Sequence, residues 1–161
     1  MNSPRLAVRD AAFEYLKGLK GQSDETPFLN KVKTFDRARF LPVTKNLYPA
    51  VLVYSNNERV EQSAPYGMPG ERSSSMELIV DIRQLGTAGA DFVDETCWEV
   101  ELAFQRNPTL HGAAASTRFL SFESDFSPDD KTVLFFALMT FRVDLDVIDP
   151  EAEHLLGYPD E

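Results

Sequence analysis

The stretch 132–147 constrains this chain more than any other. Val133, Phe135, Ala137, Met139, Phe141, Val143 and Leu145 fall on one side of an alternating pattern, and Thr132, Thr140, Arg142, Asp144 and Asp146 on the other. Leu134, Phe136 and Leu138 make its first half apolar on both sides. A period of two describes a strand, covered on two faces in its first half and on one in its second. Such a strand needs a sheet around it and a layer of helices over the apolar face.

The remaining segments supply both. Pro4 follows Ser3 as a helix start, and Val8, Ala11, Ala12, Tyr15 and Leu19 recur on one stripe until Gly18 or Gly21 ends the helix. Residues 22–27 are polar and turn-like. Residues 31–37 alternate Val32 and Thr34 and read as a short strand, and 39–46 as a connector. Residues 49–60 open with 50–54, apolar on both faces, as a central strand does. Residues 62–75 hold Pro65, Gly67, Pro69 and Gly70 and read as a long hairpin loop. Residues 76–83 alternate again, with Met76, Leu78, Val80 and Ile82 on one side and Glu77, Asp81 and Arg83 on the other. A turn at 86–89 leads to a second helix, 90–106, stopped by Asn107-Pro108. Strands at 118–125 and 132–147 follow, joined by a turn at 127–130.

The expected fold is therefore α+β: a five-stranded, mostly antiparallel (mixed) sheet with two helices packed on one face. With 161 residues and 43 % hydrophobic content, the chain makes one domain with a real core. That domain spans 1–147, and 148–161 form an acidic tail.

Charge narrows the function. The net charge of −10 disfavours a surface that coats nucleic acid or anionic lipid. No apolar run approaches the ~18 residues of a membrane helix, and the start has no apolar leader core. The expectation is a protein made and kept in the cytoplasm, with no membrane partner and no recognition of nucleic-acid sequence. The charge is also split: residues 1–45 carry net +4, 46–118 net −5 and 119–161 net −9. Two readings of that split stay open, a head-to-tail meeting of copies or a solvated acidic end.

The chemistry of catalysis is sparse. The lone Cys97 sits on the stripe Val93, Cys97, Val100, Phe104 of the second helix and reads as a small core residue. His111 and His154 are the only histidines and do not cluster at zinc spacing. Phosphate-loop, dinucleotide and nucleophile-elbow motifs are absent. The expectation is no catalytic residue, no metal and no cofactor. Twelve phenylalanines read as mostly core-facing strand residues. Trp98 and Leu102 stand four apart on the helix side opposite the core stripe, among Asp91, Asp94, Glu95 and Arg106. They read either as an interface anchor or as a pair covered by the tail or the loop.

The segment 48–54, Tyr-Pro-Ala-Val-Leu-Val-Tyr, resembles the Pro-Ala-Ile strand of phage tail terminator (tail completion) proteins of the lambda-like minor tail type. The opening helix with its 5–12 segment, the strand 76–82, the acidic second helix ending in Asn107-Pro108 and Leu110, and the closing pair around 122–130 and 138–143 follow the same order. The resemblance covers about residues 5–147. It implies a homo-oligomeric ring, a hexamer, on the head-proximal end of the tail tube. Such a ring stops tube polymerisation and offers a surface to the head–tail connector proteins. It further implies assembly in the host bacterial cytoplasm and no enzymatic activity. The hairpin region 56–75, with Arg59, Glu61 and Arg72, would lie at the working surface. Lys31, Lys33, Arg37 and Arg39 would meet acids of the next copy, with Trp98 and Leu102 as further interface candidates. Another neck, connector or tail protein is the nearest alternative, and a small enzyme with a dispersed site a more distant one.

Overall fold

In the computed structural model, residues 3–22, 24–42, 45–62, 71–128 and 132–148 are described. The elements are α1 (Pro4–Leu19), β1 (Thr34–Asp36), β2 (Ala50–Gln62), β3 (Glu71–Leu85), α2 (Gly89–Arg106), β4 (Ser116–Pro128) and β5 (Val133–Ile148). Single 3₁₀ turns occupy Leu29–Lys31 and Lys45–Leu47. The sheet order is β1-β2-β3-β5-β4. Only β1 and β2 run parallel, so the sheet is mixed and mostly antiparallel.

The strand 132–147 sits inside this sheet, between β3 and β4, as its pattern requires. Register carries the apolar alternation across three strands. Val51, Ile82 and Ala137 stand abreast, then Val53, Val80 and Met139. This face meets Val8, Ala12, Phe13 and Leu16 of α1 and Val93, Cys97, Val100, Ala103 and Phe104 of α2 in one buried cluster. Both helices therefore cover the same face. Phe13 and Leu16 join the predicted α1 stripe, while Ala11, Tyr15 and Leu19 lie at its margin. Gly89 opens α2 against β5, where a Cβ would stand 2.6 Å from the Phe135 ring.

Among the described residues the opposite face is covered only at one corner. Leu41 and Tyr48, from the connector after β1, close over Ala50, Leu52 and Leu134. Phe136 and Leu138 stay half-buried beyond that patch. The first half of β5 is thus covered on its second face by an irregular segment, and incompletely.

Several expected boundaries need correction. The strand placed at 31–37 shrinks to Thr34–Asp36, because Leu29–Lys31 turns to bury Leu29 and Val32. The hairpin loop placed at 62–75 gives way to paired strand at both ends: Arg59–Gln62 bond to Arg72–Ser75, which also pair with Asp144–Val147. Its Pro and Gly residues, 65–70, lie outside the described residues. Of the turn at 127–130, Ser127 and Pro128 are strand and 129–130 lie outside the described residues; β4 begins two residues earlier than expected, at Ser116. Ile148, assigned to the tail, still pairs with Glu71, and the rest of the tail lies outside the described residues.

Candidate interaction surfaces

The basic residues around β1 gather on one lateral edge of the sheet. Arg37 bonds Asp10 of α1 at 2.9 Å and lies over the Phe13 ring at 5.0 Å. That bond to Arg37, chief among several causes, holds the Asp10 carboxyl below its usual value. Arg39 lies over the Tyr54 ring and donates to the Ser55 carbonyl. Lys31 stands over Phe28 at 5.1 Å, and Lys33 is exposed beside them. Next to this group Phe40 is 77 % exposed. The pairing with Asp10, Phe13 and Tyr54 fixes Arg37 and Arg39 in place but leaves their outer sides in water.

The far end of β2 and β3 holds the second group. Arg59 and Glu61 are neighbours on one face, 3.8 Å apart and exposed. They line a groove of about 390 Å³ with Ser73, Ser75, Arg142 and Asp144. Arg72 takes its place in β3 opposite Gln62, and its side chain lies outside the described residues. Within the groove, Asp144 accepts hydrogen bonds from Ser116, Arg142 and Arg118. Partial burial pushes its carboxyl up, but those partners outweigh it and hold the pKa low.

The structure separates Trp98 from Leu102. Trp98 is 53 % exposed on the outer side of α2. Leu102 is half-buried and faces a small cleft toward α1 with Tyr15, Leu19 and Thr26. Trp98 is thus exposed among the described residues, the tail and loop that the other reading puts over it lie outside them, and Leu102 belongs to the packing of the two helices. Around Trp98 the helix presents Asp91, Asp94 and Glu95, all exposed.

Cys97 is buried, and burial, followed by Asp94 and Glu101, pushes its thiol up to about 12. A thiol so raised is protonated and inert near neutrality. His111 packs edge-on against Tyr15, in a turn with left-handed backbone at Leu110, His111 and Gly112. His154 lies outside the described residues. Among the described residues no group of three or more His, Cys, Asp or Glu is placed to hold a metal ion. No described helix is long and apolar enough to cross a membrane.

One surface escaped the sequence pattern. The phenylalanines expected on core-facing positions include three on β4 that are exposed: Phe119, Phe122 and Phe126, the last at 59 %. They share the helix-covered face of the sheet, abreast of Phe141, Met139 and Phe135. A bulge at Leu120, itself exposed, keeps Phe119 and Phe122 on the same side despite their spacing of three. The helices stop short of them because β4 is the outer strand and α2 packs over β3 and β5. Two grooves flank the row along α2. One, of about 270 Å³, is lined by Asp94, Asp125, Phe126 and Phe135. The other, of about 410 Å³, is lined by Glu101, Phe104, Arg118 and Phe119.

Compared with known proteins, the chain matches no family model, and no curated protein matches it significantly.

Proposed function

We propose that this chain is a structural subunit of a phage virion, a tail terminator. Copies close into a ring, a hexamer, on the end of the tail tube. The ring stops tube polymerisation and seats the head–tail connector proteins. The subunit performs this role by binding, without chemistry, first in the host cytoplasm and then at the head-proximal end of the tail.

The observation that carries the reading is the exposed aromatic row of β4. Phe119, Phe122 and Phe126 stand exposed on β4, the outer strand of the sheet among the described residues. A soluble monomer rarely keeps so large an apolar patch on an open strand, whereas a subunit that is covered by its neighbours does. The helix–strand order and the segment 48–54 match the resemblance to tail terminators. The resemblance assigns the working surface to residues 56–75, and the described ends of that region are paired strand.

The test is tube capping. Purified tail-tube protein of a phage or prophage encoding this chain is polymerised with increasing amounts of the protein. The expected result is shortened tubes with added density at one end in negative stain. Tubes of unchanged length with bare ends overturn the reading. Tubes formed by this chain alone identify it as a tube subunit instead.

A further inference from the structure

The two lateral edges of the sheet are complementary. At the β1 edge, Phe40 is exposed in the connector directly after Arg39, in a segment whose Lys33, Arg37 and Arg39 are all exposed. At the β4 edge, the aromatic row lies in a trough along α2 whose helix rim carries Asp94 and Glu101, with Trp98 exposed on the same helix. Arg118, which borders the trough, is turned away from it to Asp144. We propose that these are two halves of a single contact: Phe40 and its basic neighbours of one copy seat in the acidic aromatic trough of the next. The proposal rests on the ring-subunit reading and names the surfaces through which copies meet.

Charge selects the occupant. The trough is apolar with an acidic helix rim, so it favours an apolar group carried among cations. Phe40 is the most exposed large hydrophobic residue among those described, and its chain segment carries the exposed cations Lys33, Arg37 and Arg39. The chain's own residues 149–161 carry five carboxylates and no lysine or arginine, so they are repelled by the same rim. Position selects the symmetry. β1 and β4 are opposite edges of one sheet, so a copy that fills its neighbour's trough keeps its own trough open. Such a contact is heterologous and continues from copy to copy until a ring closes.

The decisive experiment uses two single variants of the full chain, Phe40→Glu and Phe122→Glu, with mass measured by light scattering across a concentration series. Wild type is expected to form a discrete oligomer. Each variant alone is expected to weaken self-association by about 30-fold or more. Mixed in equal amounts, the two are expected to form a species of twice the 18.1 kDa chain mass and no larger, because each lends its one intact half. Phe126→Ser and Lys33→Glu serve as milder substitutes if either variant melts early. A wild-type protein that stays monomeric throughout overturns the proposal and leaves the tube test to judge the ring reading. Oligomers unaffected by both variants overturn the contact while keeping self-assembly. Loss with Phe122→Glu alone points to a β4-to-β4 pairing and overturns it as well.

Discussion

Asp81 and Arg83 lie two residues apart on the same face of β3, and the Arg83 guanidinium bonds both carboxylate oxygens of Asp81, at 2.7 Å and 3.1 Å. Asp81 is only 1 % exposed. Burial works against the Arg83 charge, but the bonds to Asp81 and to Tyr48 outweigh it and raise its pKa. The pair sits where the connector with Leu41 and Tyr48 folds over the second face of the sheet.

Removing one partner of this pair strands a buried charge. Arg83→Met is expected to cost about 3 kcal/mol, and Asp81→Leu a similar amount. The double variant Asp81→Leu/Arg83→Met is expected to recover most of the loss, because well-packed apolar groups avoid the desolvation of both ions. Urea unfolding of all three, read as a double-mutant cycle, checks this. Additive losses would falsify the buried-pair account.

Glu99 makes a second polar tie across the core. Its two carboxylate oxygens accept the backbone N–H groups of Phe28 and Leu29, at 2.9 Å and 2.8 Å, and so anchor the turn before β1 to the middle of α2. Glu99→Gln turns one acceptor into a donor facing an N–H group. The expected cost is about 1–2 kcal/mol, with faster amide exchange at Phe28 and Leu29. Unchanged exchange at those two amides would count against the tie.

How much of this was legible follows from where burial acts alone. Met139, Phe141 and Val143 alternate with polar residues because one face of β5 meets helices and the other meets water, so period and position agree. Cys97 and Val100 obey the helical period for the same reason. Asp81 obeys the strand period too, yet its side of β3 is covered by Leu41 and Tyr48, a packing no local pattern encodes. The edge of β4 was hidden differently. Phe119, Phe122 and Phe126 have core composition, and only the order β1-β2-β3-β5-β4 leaves them outside the helices. The bulge at Leu120 also breaks the alternation that would have assigned them to one face. A phenylalanine awaiting a partner and one awaiting a core look alike until topology separates them.

Asp144 predicts a pH response. Its folded pKa lies below the ordinary 3.8. A lowered carboxylate pKa contributes stability in full above the unfolded value, and that contribution is lost as pH falls through the folded pKa. Asp144→Asn is therefore expected to cost about 1 kcal/mol at pH 7 and to approach wild type in very acid solution. Thermal melts of both proteins across pH 2–7, a window of about five units around the shift, test this. A constant difference at every pH would assign the loss to packing.

Cys97 predicts a silence that ends on unfolding. Its thiol, raised to about 12, lies in the α2 stripe facing the sheet and is 5 % exposed. The thiolate is the reacting species, so at pH 8 the folded protein should modify roughly a thousandfold more slowly than a free cysteine, before exclusion of the reagent is counted. In denaturant the rate should rise to that of an ordinary thiol. Cys97→Ala leaves a small void and is expected to cost about 1 kcal/mol, whereas Cys97→Ser adds an oxygen among Val93, Val100 and Phe104 and should cost more. Rapid labelling of the native protein, or a serine variant as stable as the alanine one, would place the thiol at the surface rather than in the core.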